Sequence, residues 1–318
     1  MARSSCLRCV LFCCLFAFAL PFCFAQTTGA IKATPPSGVS YSSEGSIDQN
    51  ASSQSSLAGQ EADLRAALTK QPESASLLYA LALVQRKLNH PHASLDTYTQ
   101  AARHRKPTPQ ELQSVALDYV LLSDYDDAIH WLEIAEGMAP SDVEILYSLG
   151  RCYYSKSRYV DAGKMFQQVL AIDPTHLKAE ENLGLVYDAT NHPQEAESAL
   201  RKAVSWSDED SKDEWPFLDL GNFLLEQNRP QEALDPLEKA VSIRPDSAIA
   251  HERLGHALVA TNQSAEGIVE LEKSADLDPK NPKVHFELGR ALRQAGRTQE
   301  AQKEFAISQQ LYAAHSSE

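Results

Sequence analysis

Positive charge is scarce in this chain, and so is cysteine once the first 25 residues are set aside. Of 318 residues, 29 are Lys or Arg and 43 are Asp or Glu, a formal net charge of −14. That balance excludes a sequence-independent nucleic-acid binder, whose affinity rests on Lys and Arg neutralising phosphates. Five of the six cysteines, Cys6, Cys9, Cys13, Cys14 and Cys23, fall in the opening segment. Cys152 stands alone in the rest, so no internal disulfide framework can hold the remainder together. No Gly-rich phosphate loop is present, because the glycines lie a repeat length apart, and the ten histidines form no i, i+4 pair with a carboxylate of the zinc-site kind. No catalytic, metal or cofactor set is therefore expected, and the His90-Pro91-His92 segment reads as a turn.

The cysteine-rich opening has a pattern of its own. Arg3 and Arg8 precede a run without charge from Cys9 to Ala25, which ends in small residues at Cys23 and Ala25. A basic start, an apolar middle and a small-residue exit read as a secretory signal peptide over 1–25. An uncleaved anchor is the alternative, but the run is at the lower limit for a span and Pro21 interrupts it. Lipid attachment at Cys23 is disfavoured by bulky Phe22 before it. The expectation is an exported chain, periplasmic if bacterial and otherwise secreted, with no membrane span after cleavage. Residues 26–56 are rich in Ser, Thr, Gly, Pro and Gln and hold few large apolar side chains to offset ordering entropy, so a disordered Ser-rich linker is expected there.

From there on one period dominates. Small residues recur at Ala82, Ala116, Gly150, Gly184, Gly221, Gly255 and Gly289, in steps of 34 with a single step of 37. Twelve residues after each comes a second small residue, Ser94, Ala128, Ala162, Ala196, Ala233, Gly267 or Ala301. Four further on is a large apolar residue, such as Tyr98, Leu132, Phe166 or Leu237. Apolar spacing of three and four predicts two amphipathic helices per unit. Turn signals separate them, as in Asn191-His192-Pro193 and Asn228-Arg229-Pro230, and Pro140, Pro174, Pro245 and Pro279 close the units. Glycine inside a helix costs about 1 kcal/mol relative to Ala. Its recurrence at one register implies that paired helices approach closely there.

The segment from Leu146 to Tyr153, with Leu149-Gly150, then Ala162, Phe166 and Pro174, resembles the tetratricopeptide repeat (TPR) family. The resemblance implies an all-α fold, an α-solenoid of seven TPR helix–turn–helix units plus an N-terminal half-unit, wound as a right-handed superhelix. The units run over 75–108, 109–142, 143–176, 177–213, 214–247, 248–281 and 282–315, with a capping helix at 57–74 supplying the terminal half-unit such stacks need. Three departures, the acidic insertion near 208–214, Pro236 inside a helix and Gly267 in place of Ala, are expected to bend or loosen units four to six. The insertion lacks the pattern of a calcium loop and reads as solvated. Trp206 and Trp215 are expected to pack at its base, and Cys152 to be a buried thiol, because its register is mostly apolar elsewhere.

In the family, first helices line a concave groove, and the resemblance places candidates three before, one after and four after each small position. These partner-binding candidates are Tyr79, Arg86, Tyr147, Arg151, Tyr154, Asn222, His256, Phe286, Arg290 and Arg293. Aromatic and Arg side chains are common interface anchors. The Lys and Asn pair by which chaperone-binding members grip a terminal carboxylate is represented only by Asn222, opposite Leu218, and the Asn ladder of sugar-transferase repeats only by Asn182. The function expected is a non-catalytic protein- or peptide-binding scaffold in the cell envelope, with ligands that carry acidic groups. A structural subunit of a secretion, pilus or outer-membrane complex is the alternative. An accessory module of a glycosyltransferase ranks far behind.

Overall fold

Backbone chemistry at the turns organises the chain. A computed structural model of the protein describes residues 47–207 and 211–315. The expected leader at 1–25 and the linker up to residue 46 lie outside the described residues. A leading helix, α1 (Ile47–Lys70), precedes seven helix pairs: α2 (Ala75–Lys87) with α3 (Pro91–Ala102), α4 (Pro109–Leu121) with α5 (Tyr125–Met138), and α6 (Val143–Ser155) with α7 (Tyr159–Ile172). Then come α8 (Leu177–Ala189) with α9 (Pro193–Trp206), α10 (Trp215–Glu226) with α11 (Pro230–Ile243), α12 (Ala248–Ala260) with α13 (Ser264–Leu277), and α14 (Pro282–Gln294) with α15 (Thr298–His315). No strand occurs among the described residues. The chain divides after Pro174 into two compact units, the first holding α1 to α7 and the second α8 to α15.

Each turn within a pair contains one residue in the left-handed region: Asn89, Ser123, Ser157, Asn191, Asn228, Asn262 and Gly296. Asn and Gly tolerate that conformation, and serine bears a cost for it. Proline then opens α3, α9 and α11, where its missing N–H is no loss. Other helices start on side-chain caps. Thr108 and Glu111 form a reciprocal capping box at α4, and Asp142 accepts from the backbone of Glu144 and Ile145 at α6.

The small register sets how close paired helices come. A Cβ added at Gly150 would stand 2.7 Å from the Phe166 ring, so the ring occupies the space a side chain would need. Phe166 is fully buried, with Leu112, Leu132, Ile145 and Leu146 in the same unit. Burial of such side chains contributes roughly 1.5–3 kcal/mol each. In the second unit, one cluster runs from Ala196 and Leu200 through Leu237 to Leu258, and another from Ile268 through Leu288 to Ala301.

Three expectations change. α1 begins at Ile47, inside the stretch assigned to the linker, because a Ser/Gln/Ala-rich run without proline can continue a helix outward; Ser53 to Ser56 on it are exposed. α11 runs through Pro236 without interruption, and the carbonyl that loses its N–H partner belongs to exposed Glu232. Gly267 does not loosen its repeat. A Cβ there would meet the Gly255 carbonyl oxygen at 2.8 Å, so Gly255 and Gly267 together let the backbones of α12 and α13 touch.

Candidate functional site

In the N-terminal unit, consecutive first helices α4 and α6 frame a hollow of about 180 Å³ lined by Gln113, Leu117, Val120, Tyr147 and Arg151, among others. The heptad-like spacing Gln113, Leu117, Val120 puts three side chains on one stripe of α4, and Tyr147 and Arg151 do the same on α6. Gln113 Nε2 donates to Ser148 Oγ at 3.1 Å, tying the two helices. The Tyr147 ring leans on Phe166, centroids 5.9 Å apart, and the Arg151 guanidinium lies 5.9 Å from the Tyr147 ring. The hollow thus offers an apolar floor, an aromatic wall and a cation. Tyr154 is set apart from it, edge-on to Tyr159 at 5.3 Å. Cys152 is buried and unpaired in the described chain, and burial pushes its thiol up to about 12, against the pull of Arg151. It is an inert thiol.

Tyr79 does not face a groove. It is buried, its hydroxyl donates to the Arg105 carbonyl at 2.8 Å, and Arg105 lies 4.3 Å over its ring. Its register explains this. Four of the seven residues three before the small position, Tyr79, Glu181, Leu218 and Glu252, are at 5%, 5%, 0% and 6% exposure. They lie in the joints between consecutive repeats. Spacing identified the correct face of the helix but not the helix that covers it.

Arg86 is drawn inward, its Nε buried without a hydrogen-bond partner, beside Asp118 and Tyr98. Asp118 is fully buried and accepts from Ser94 Oγ at 2.6 Å. Burial pushes its carboxyl up to about 7, while the Ser94 bond and Arg86 oppose the rise. Sequence reasoning missed this group, though a signal existed. Asp118 is charged at a register otherwise apolar, and Ser94 is the hydroxyl in a register otherwise Ala or Gly. The two departures from the repeat pattern are partners.

In the C-terminal unit, His256, Arg290 and Arg293 share a hollow of about 480 Å³ with Asn262 and Glu287. Arg290 pairs with Glu287 at 3.1 Å. The His256 imidazole is held below its ordinary range chiefly by desolvation on its inner side, although the residue's outer edge is exposed, and Glu287 pulls the other way. Asn222 lies elsewhere on α10, its Oδ1 buried without a hydrogen-bond partner. Phe286 belongs to the joint register, yet it is 45% exposed. It lies with Arg293 and Phe305 in a separate hollow of about 510 Å³.

Acid chemistry is concentrated in this unit. Glu181 of α8 and Asp219 of α10 are both buried and hydrogen-bonded to each other. Burial, then each other's charge, holds Glu181 well above the usual carboxylate range; burial likewise raises Asp219 to about 7. Two touching carboxyls of this kind share a proton. Beside them Lys178 pairs with Asp213 at 2.8 Å, and Arg244 reaches buried Glu214 at 3.2 Å, so this part of the insertion is ion-paired rather than solvated. Trp215 packs on the core cluster, and Trp206 carries the Lys202 ammonium 4.5 Å from its ring. Among the described residues no three His, Cys, Asp or Glu side chains are grouped to hold a metal ion, and no helix is long and apolar enough to cross a membrane.

Paired helices, with no strand among the described residues, define an all-α helical-repeat solenoid. Tetratricopeptide repeat family models match residues 116–176, 181–210, 217–244 and 270–303, so both units carry matches to that family. The anaphase-promoting complex subunit CDC16 of Saccharomyces cerevisiae is 23% identical over 164 residues, 49% of this chain and 19% of that protein, so the chain spans about a fifth of that relative's length. Among solved structures, a tetratricopeptide repeat protein from Parabacteroides merdae matches with a TM-score of 0.61 at 18% identity, covering 77% of this chain and 95% of its own. Yeast Tom70 matches with a TM-score of 0.61 at 17% identity, over 84% of this chain and 57% of its own. These likenesses establish the fold.

Proposed function

We propose that the protein is a non-catalytic scaffold that holds protein or peptide partners on the face made by the first helices of its repeats. TPR proteins mediate protein–protein interactions, and most act as scaffolds rather than catalysts. The observation that carries the reading is the α4–α6 hollow, where Leu117 and Val120 lie beside Tyr147 and Arg151. A buried apolar side chain of the ligand would sit on the leucine and valine, and an acidic group would meet the Arg151 guanidinium, a charge-assisted contact of about 1.5–3 kcal/mol. Residues 1–25 support an exported chain acting in the periplasm, if bacterial, or outside the cell. Loss of partner capture by the full chain carrying Tyr147→Ala with Arg151→Glu is the test, with Arg151→Glu alone as the variant that spares the packing on Phe166. Capture that is undiminished in both would sink the reading.

A second reading, an assembly subunit of an envelope complex such as a secretion, pilus or outer-membrane machine, is favoured by one observation. Phe286 and Tyr312 are 45% and 54% exposed on the last repeat of the C-terminal unit. The CDC16 relative is itself a subunit of a multi-protein complex.

A further inference from the structure

The hollow shared by α12 and α14 in the C-terminal unit is walled by hydrogen-bond donors. Its space of about 480 Å³ is lined on the polar side by His256, Asn262, Glu287, Arg290, Arg293 and Gln294. Two of these positions depart from the repeat. One after the small position, the earlier repeats of this unit carry Leu185, Asn222 and His256. Four after it they carry Asp188, Leu225 and Val259. The last repeat puts Arg290 and Arg293 there, three residues apart and so on one face of α14.

Most of these donors are uncommitted. Arg290 gives only Nη1 to the protein, bonding the two Glu287 oxygens at 3.3 and 3.1 Å, so its Nε and Nη2 have no acceptor among the described residues. Arg293 enters no ion pair among the described residues. Its guanidinium stands 5.5 Å over the Phe305 ring, a contact that braces the cation without neutralising it. Neither ring nitrogen of His256 is hydrogen-bonded among the described residues, and the residue is exposed. Lys283, the other cation of α14 that acts on His256, is held by Glu252 at 2.9 Å. Glu287 is the one acid in the lining, and Arg290 already occupies it.

Two guanidiniums against one carboxylate leave surplus positive charge in a donor-rich recess, so its ligand has to bring both the acceptors and the negative charge. We propose that this hollow binds a phosphate monoester, its terminal oxygens taken by Arg290, Arg293 and His256. A carboxylate is the poorer fit. One guanidinium fork satisfies a planar carboxylate, and Glu287 already fills that part for Arg290. Donors on three side chains from two helices match a group with three terminal oxygens and about two negative charges. Val259 and Leu271, in the same lining, give the carbon stem of the ester an apolar bed. The site shares no residue with the α4–α6 hollow and takes a ligand of another class, so it survives the failure of that site.

The test titrates the full chain, at physiological salt, with a fluorescent pentapeptide bearing a central phosphoserine. Saturable binding at one site is expected, weaker by about tenfold or more for Arg290→Gln, for Arg293→Gln and for the same peptide with glutamate in place of the phosphoserine. His256→Ala should cause a smaller loss. Glu287→Gln should bind severalfold more tightly, because it withdraws the competing acid from Arg290, a gain that damaged folding would not produce. Because His256, Arg290 and Arg293 are exposed, their variants should melt with the wild type. Phenyl phosphate serves as the competitor that separates two sources of the group. Displacement of the peptide supports a site for the ester itself, and failure to displace supports a phosphorylated protein segment as its carrier. Binding that does not saturate, that is indifferent to Arg293→Gln, or that the glutamate peptide equals overturns the proposal.

Discussion

The two compact units fill the same register positions with different chemistry. Three residues before the small position, the N-terminal unit places neutral groups, Tyr79 bonded to the Arg105 carbonyl and Gln113 bonded to Ser148. The C-terminal unit places Glu181 against Asp219 and Glu252 against Lys283. It also contains two matched clamps. His251 Nδ1 lies 2.6 Å from Glu270 and Nε2 lies 2.9 Å from the Pro245 carbonyl. His285 repeats the arrangement 34 residues later with Glu304 at 2.7 Å and the Pro279 carbonyl at 3.2 Å. Each clamp ties a first helix to its own second helix and to the turn before it. The same register thus holds hydrogen-bonded neutral groups in one unit and, at Glu181 and Glu252, buried carboxylates in the other.

The sharpest contrast between the units comes at the small register itself. Gly255→Ala places a Cβ within 2.9 Å of the Gly267 carbonyl oxygen, where backbone must move. Overpacking of this kind costs roughly 1–3 kcal/mol or more. The three atoms nearest the new Cβ of Gly150→Ala all belong to the Phe166 ring rather than to backbone, and Ala82 and Ala116 already hold that register in the same unit, so a smaller loss is expected. Urea unfolding of the two variants checks the order, and equal losses would erase the distinction.

Next in size is the response to pH. Asp219 titrates at about 7 in the fold, against roughly 3.9 in an unfolded chain. Between those values the native state binds the extra proton, so stability falls as pH rises. The pair's contribution is complete below about pH 4 and lost as pH passes 7. Asp118 adds a slope of the same sign in the N-terminal unit, because its carboxyl also lies at about 7. Replacing both members of the pair, Glu181→Gln with Asp219→Asn, keeps a hydrogen bond without a shared proton. Thermal melts of that variant should show a flatter decline from pH 5 to pH 8 than the wild type, and an unchanged profile would remove the pair as its cause. The smallest effect is at the turns. Ser123 sits at φ 59°, where five of the other repeats use Asn or Gly, so Ser123→Gly should stabilise by up to about 1 kcal/mol, measured as a raised melting midpoint.

How much was legible in the sequence varies with range. Helix pairs were, because the small residue and its large partner sixteen positions later, Gly150 and Phe166 for example, are set by local period and meet in the fold. The left-handed residues were half legible: Asn marks most of the turns, while Ser123 and Ser157 adopt the same conformation without the signature. The candidate site was legible only in part. Tyr147 and Arg151 share a hollow, as do His256, Arg290 and Arg293, whereas Tyr79 is buried in a joint and Phe286 is exposed in a hollow with Phe305. Spacing along one helix gives a face, but which neighbour covers that face is a property of the stack. Asp118 with Ser94 lay beyond a reading made one register at a time, because its signal is two coincident departures in adjacent repeats.

The most direct measurement of the binding role uses a photo-crosslinking residue placed in the full chain at Leu117, in the α4–α6 hollow, and in parallel at Val160, which is 70% exposed on second helix α7. The expected result is a discrete partner adduct from position 117, abolished by Arg151→Glu, and none from position 160. Adducts from position 160 alone, or from position 117 regardless of Arg151, would contradict a partner held on the first-helix face.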